Sequence, residues 1–327
     1  MEKKGAAVKI LGILMVSLFL MTTLMTLVSS DGGFLKSLKS WLTGKATSQT
    51  FNLNISVGNN APNITLVSIG SSFSPTEIGL TNVLFYFTAN DSDGYQNINL
   101  TSAKANFTYY NSTSTYVRTN NSCVSLGNID AKTINFSCTV GLWYFDPSSS
   151  VWGVTAYVED SSQARGQNTT VNFTYQTLQA FVIHPSALTF PSIGPGSTNQ
   201  SSNNDPLVLN NTGNYQFGTT TANISLNTTD LSGETTGSYK LYAQNFTMGN
   251  QTGSSVECGG AGSFYLNKSI YRNISSAIVG YGNLSAGSGA GQGDLYACLT
   301  IAGSDLPSQA YSTNGPNSGG AWTVKAG

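Results

Sequence analysis

The chain has 327 residues, of which only 9% are charged, with 14 Lys plus Arg, 15 Asp plus Glu and a single His. Soluble globular domains usually carry about a quarter charged residues. Six of the basic residues stand at or before Lys45, so the remainder holds eight basic and thirteen acidic side chains, a net charge of 8 − 13 = −5. That balance excludes an electrostatic footprint for nucleic acid and leaves solubility to hydroxyls, amides and attached sugars.

Residues 1–30 read as a signal peptide or signal-anchor transmembrane helix. A short basic stretch, Met1 to Lys9, precedes an uncharged apolar run from Ile10 to Val28. Nineteen residues is long for a signal-peptide core and about the minimum for a membrane span. Ser29 and Ser30 offer small residues for cleavage, so a secreted form and an anchored form both stay open. Either one exports the rest of the chain and attaches it, if uncleaved, to the membrane through the N-terminal helix.

Residues 31–61 are expected to be a short amphipathic helix and a polar linker. Phe34, Leu35, Leu38, Trp41 and Leu42 share one helical face, opposite Lys36 and Lys39, a spacing suited to a helix lying at the membrane interface. Ala46 to Ala61 is Asn- and Ser-rich and reads as a spacer.

From Pro62 the pattern becomes short alternating apolar runs, separated by Gly, Asn, Ser and Pro about every ten residues, which is the rhythm of an all-β sandwich. Residues 62–177 hold seven such runs, near 63–69, 83–90, 103–110, 115–119, 132–140, 151–160 and 168–176, as an immunoglobulin-like β-sandwich would. Residues 178–327 form a second β-sandwich domain in this reading, richer in Gly, with strands such as 187–190 and 206–211 and long loops at 191–205 and 285–294. The fold class is therefore all-β, two sandwich domains in tandem after an N-terminal hydrophobic helix.

Nineteen Asn residues are followed two places later by Ser or Thr with no Pro between. At random, 32 Asn and 80 Ser plus Thr in this length would give roughly eight such acceptors for N-glycosylation. In eight triplets the middle residue is Phe or Ile: those of Asn54, Asn63, Asn106, Asn135, Asn172, Asn223, Asn245 and Asn273. Alternate residues of a strand face opposite ways, so these Asn are expected to point outward while the Phe or Ile enters a core.

The four cysteines pair most simply within each domain, Cys123 with Cys138 and Cys258 with Cys298, as suits an oxidising compartment. No two have CxxC spacing, and no His or Cys cluster offers a zinc site. His184 is the single histidine, there is no G-x-S-x-G motif, and the acids are scattered, so no catalytic residue is assigned and an enzyme is not expected. Asp91 and Asp93, with Gly94, follow a strand as a Ca²⁺ loop would, and Asp146, Glu159 and Asp160 lie near strand ends that could join them; the competing reading is a plain turn. Tyr311 and Trp322 form a carbohydrate platform or close a sandwich core.

The stretches NAPNITLV (60–67), FTANDSDG (87–94) and VWGVTAYVEDSSQARGQNTTVNFTY (151–175) resemble immunoglobulin-like modules of archaeal cell-surface glycoproteins. NDPLVLNNTGNYQF (204–217) with ANISLNTTDL (222–231) is similar to related modules of the same proteins. The resemblance implies an anchored, glycosylated cell-envelope protein, structural or adhesive, whose partners are other envelope proteins or glycans. It supplies no catalytic residues or cofactor. A second resemblance competes: Lys3-Lys4-Gly5 before the apolar run is similar to the processing site of archaeal type IV pilins, although the acidic or amide residue expected soon after the cut is absent. That implies a pilin-like filament subunit. A secreted carbohydrate-binding protein is the third reading.

Overall fold

The computed structural model describes residues 52–217, 223–249, 258–260, 262–274 and 291–326, together with Met15 and Ser17, which are helical. The remainder of the expected membrane helix and the amphipathic helix at 34–42 lie outside the described residues. Among the described residues no helix is long and apolar enough to cross a membrane. The chain divides into two compact units, Met1–Gly58 and Asn59–Gly327. In the first of these, residues 52–58 belong to no helix or strand.

The second unit is almost wholly β-structure and holds two separate apolar clusters. The first lies between two sheets. One runs in the order β1-β3-β7-β6 and is built from β1 (Asn63–Ser68), β3 (Leu80–Asn90), β6 (Val124–Asn128) and β7 (Thr133–Trp143). The other runs β2-β9-β8-β4-β5, from β2 (Ser72–Phe73), β4 (Ile98–Tyr110), β5 (Thr115–Asn120), β8 (Ser149–Asp160) and β9 (Arg165–Tyr175). The alternation of apolar and polar residues determines which side each strand buries. In β7, Ile134, Phe136, Cys138, Val140 and Leu142 are buried, and in β8, Trp152, Val154, Ala156 and Val158. Strands begin earlier than the apolar runs do: β3 starts at Leu80 and β4 at Ile98, because main-chain pairing continues through Thr81 and Asn99, where side chains carry no apolar signal.

Aromatic rings fill this cluster. Phe87 stacks on Phe136 with centroids 4.9 Å apart, and Phe107 meets Phe173 at 4.8 Å. Trp152 is fully buried, touches Phe173 and Tyr175, and its indole N–H donates to the Pro147 carbonyl at 2.9 Å. Cys123 sits where the chain passes from β5 to β6; its N–H donates to the Ala103 carbonyl, while its sulfur is bonded to Cys138 of β7, Cα to Cα 4.6 Å.

The second cluster rests on a sheet ordered β10-β12-β19-β16-β17, made of β10 (Phe181–His184), β12 (Leu207–Asn211), β16 (Phe246–Gly249), β17 (Ser263–Tyr265) and β19 (Gln292–Ile301). β11 (Thr198–Ser201) also pairs with β19, so the expected loop 191–205 contains a strand, and β19 starts inside the expected loop 285–294. Residues 187–190, expected as a strand, form none. Among the described residues, short pieces face this sheet: β18-β13-β21, from β13 (Ile224–Asn227), β18 (Arg272–Asn273) and β21 (Thr323–Ala326), and β15-β14-β20, from β14 (Leu231–Gly233), β15 (Lys240–Leu241) and β20 (Tyr311–Ser312). The Cys258–Cys298 disulfide, Cα to Cα 5.2 Å, fastens residue 258 to the central strand β19.

Candidate functional site

Three regions carry the chemistry that this chain offers. The first is the outer surface of the strands. In seven of the eight apolar-centred triplets the middle residue is buried: Ile64, Phe107, Phe136, Phe173, Ile224, Phe246 and Ile274. None of the eight Asn is buried; Asn63, Asn172, Asn223 and Asn273 are exposed, while Asn106, Asn135 and Asn245 are half-buried. Neighbouring strands hold several of them. The Thr88 hydroxyl donates to Asn135 Oδ1 at 2.7 Å, Asn106 Nδ2 to the Tyr157 hydroxyl at 3.3 Å, and Asn273 Nδ2 to Asn223 Oδ1 at 3.0 Å.

The eighth triplet corrects the strand expectation. Asn54 and Ile55 lie outside any strand and Ile55 is exposed, since among the described residues 52–57 enter no strand pairing. Three further triplets, without a Phe or Ile centre, close on themselves: Asn99 and Asn168, at irregular stretches of β4 and β9, and Asn111, just after β4, each accept both the N–H and the hydroxyl of the Thr two places on through Oδ1. The Asn-x-Thr spacing itself is the signal for them.

The second region is the cluster of acidic turns. Asp91 ends the pairing of β3, with its N–H donating to the Lys132 carbonyl, and Asp91 Oδ1 accepts the Asp93 N–H at 2.8 Å. Gly94, at φ 112°, turns the chain into a short 3₁₀ helix, Tyr95–Asn97, a backbone region that favours glycine. The Asp93 carboxylate accepts the Asn60 N–H at 2.7 Å and Asn60 Nδ2 at 3.1 Å, and these two bonds hold it below the usual carboxylate range. Asp160 accepts the N–H groups of Ser162 and Ala164 on Oδ1 and Asn59 Nδ2 on Oδ2 at 2.6 Å.

Asp146 does not join them. Its fully buried carboxylate is gripped by the Arg118 guanidinium, Nε at 2.9 Å and Nη2 on the other oxygen, and accepts the Trp143 N–H at 2.7 Å. Glu159 stands in β8 opposite Arg165. Asp91 Oδ2 is buried without a hydrogen-bond partner, yet among the described residues no three His, Cys, Asp or Glu side chains come together as a metal site. Ca²⁺ takes six to eight oxygens, and the oxygens of Asp93 and Asp160 are already bound by amides.

The third region was not legible beforehand. A cavity of about 930 Å³ opens beside the second apolar cluster, between the long sheet and the short strands opposite. Leu226, Leu231, Leu241, Phe246, Met248 and Trp322 line it, and its rim reaches the surface at exposed Ala187, Pro191 and Ala321. Trp322 packs edge-on against Phe246 and donates its indole N–H to the Thr229 carbonyl at 2.9 Å. The Tyr311 hydroxyl donates to the Pro307 carbonyl at 3.1 Å. Both rings belong to the wall of the core, with their polar ends already bonded. His184 is exposed at the end of β10.

No protein-family model and no curated protein matches the chain. Among solved structures it is similar to a partial N-terminal region of an Enterococcal surface protein, at 8% identity and a TM-score of 0.18, covering 78% of this chain and 88% of that one.

Proposed function

We propose that this chain is an exported, N-glycosylated cell-envelope protein of structural or adhesive role, without enzymatic activity, whose two tandem domains are immunoglobulin-like modules displayed outside a membrane. The observation that carries the reading is the division of the acceptor triplets: seven apolar centres lie in the cores while their asparagines reach the outer surface. Two disulfides agree with an oxidising destination. The non-enzymatic part rests on how the reactive groups are used, since Asp146 is tied to Arg118, Asp230 to Lys268 at 2.8 Å, and the single histidine stands exposed at a strand end. The acidic turns act as clamps on the chain entering the first sandwich, so the melt is expected to be the same in millimolar Ca²⁺ and in EGTA; a rise with Ca²⁺ would restore the cation site.

Glycopeptide mapping of protein made in a host with N-glycosylation tests the reading. Sugars are expected on Asn63, Asn172, Asn223 and Asn273; bare asparagines throughout would overturn it. The mature N-terminus separates the forms: an intact Met1 or Glu2 means an anchor, Asp31 means secretion, and Ala6 means pilin-like processing.

A further inference from the structure

N-glycosylation uses one atom of its acceptor. Asn Nδ2 attacks the anomeric carbon of a lipid-pyrophosphate-linked sugar; the C–O bond breaks, the pyrophosphate leaves with the electron pair, and Nδ2 gives up one proton to the transferase. The enzyme holds the hydroxyl two places on at the same time. On a folded protein the acceptor is therefore open only where Nδ2 is unspent and the main chain can leave its neighbours.

Nine acceptor triplets lie in the first sandwich, and eight fail one of these conditions. Asn90 Nδ2 donates to the Thr133 hydroxyl at 2.9 Å, Asn106 Nδ2 to the Tyr157 hydroxyl at 3.3 Å, Asn120 Nδ2 to the Thr139 carbonyl at 2.7 Å and Asn168 Nδ2 to the Ile64 carbonyl at 3.2 Å. All four Asn are half-buried. Asn63, Asn99, Asn135 and Asn172 sit in strand ladders, opposite Asn90, Glu159, Thr88 and Gly153.

Asn111 meets both. It stands between β4 and β5, in a tip where residues 110–115 are all exposed. Its Oδ1 accepts the Thr113 N–H at 2.9 Å, the Thr113 hydroxyl at 3.1 Å and the Ser114 N–H at 2.6 Å, and its N–H donates to the Ser114 carbonyl at 3.0 Å. Those bonds stay within residues 111–114, so the triplet opens without disturbing the pair Tyr110–Thr115 at the end of the hairpin. Asn111 Nδ2 donates to nothing among the described residues.

We infer that Asn111 is the acceptor which the folded first sandwich presents to an oligosaccharyltransferase, the other eight taking sugar only before their strands pair. The inference rests on the glycosylated reading above, yet it fails separately. Bare asparagines in the native protein overturn that reading; the order of rates on unmodified chain decides this one.

Full-length chain made in a host without N-glycosylation is given a purified single-subunit oligosaccharyltransferase and a lipid-pyrophosphate-linked oligosaccharide, once folded and once reduced and alkylated. Asn106 and Asn168 are the comparators, because their triplets, like that of Asn111, end in Thr. On the folded protein Asn111 is expected to be modified roughly 10-fold faster than either, the effect of one hydrogen bond that must first be broken. On the reduced and alkylated chain the three rates should converge. Asn106 and Asn111 lie between Lys104 and Arg118 on one tryptic peptide, and Thr113→Ala, in the exposed turn, removes the Asn111 signal alone. The inference is overturned if Asn106 and Asn168 of the folded protein are modified as fast as Asn111, or if Asn111 stays bare there.

Discussion

The two apolar clusters of this chain were built by the same alphabet to different standards of closure. The first is enclosed by strands of up to 13 residues, its walls meeting in stacked and edge-on aromatic rings around a fully buried Trp152. The second has one long sheet, fragments opposite, and a tryptophan, Trp322, on the wall of a cavity. Long alternating strands enclose a core on their own; short ones interrupted by Gly, Ser and Asn leave open space beside the buried apolar side chains.

That contrast can be broken by experiment. Trp152→Ala removes a side chain packed on every side and is expected to cost about 4 kcal/mol in urea unfolding, whereas Trp322→Ala, beside existing empty space, should cost about half as much; equal losses would mean that the second core is as well packed as the first. Replacing Cys258 and Cys298 together by Ala should cost about 4 kcal/mol, and the Cys123 and Cys138 pair about 3 kcal/mol, since the first closes a loop of 40 residues and the second one of 15. Arg118→Leu leaves the Asp146 carboxylate buried and unpaired and should destabilise the first core by about 3 kcal/mol, with Asp146→Asn partly restoring it.

The smallest effect concerns pH. Burial pushes the Tyr175 phenol up to about 12, against the Thr81 hydroxyl and with the Asp146 charge adding to the rise. Its hydroxyl donates to the Trp143 carbonyl at 3.1 Å only while protonated. A raised folded-state value means that this contribution is complete below the ordinary tyrosine range near 10 and disappears as pH passes through about 12. The urea midpoint is expected to fall over that window, and Tyr175→Phe to flatten the fall.

What could be read in advance follows the same division. Runs such as VLFYFTAN and KTINFSCTV name their buried face because each strand is long enough for alternation to repeat, and both disulfide pairings follow from proximity in the chain. The strands β14, β15, β18 and β20 have two or three residues each, too few for a period to show. The Arg118–Asp146 pair joins residues 28 apart in sequence through the meeting of β5 with the loop after β7, which no local pattern encodes. Ile55 was misread for a different reason: alternation tells which face of a strand would be apolar, not whether the segment joins a sheet at all.

The bonds from Asn59 and Asn60 to Asp160 and Asp93 have a mechanical consequence. Tension drawn through the chain ahead of Asn59 meets these side-chain bonds before it reaches the first ladder pair of β1, Asn63 with Asn90. The load is thus divided between two anchor points on different strand ends, and β1 is not peeled one rung at a time from its end. As pH falls through the low value of Asp93, its half of the anchorage is lost and the same pull begins to unzip the sheet.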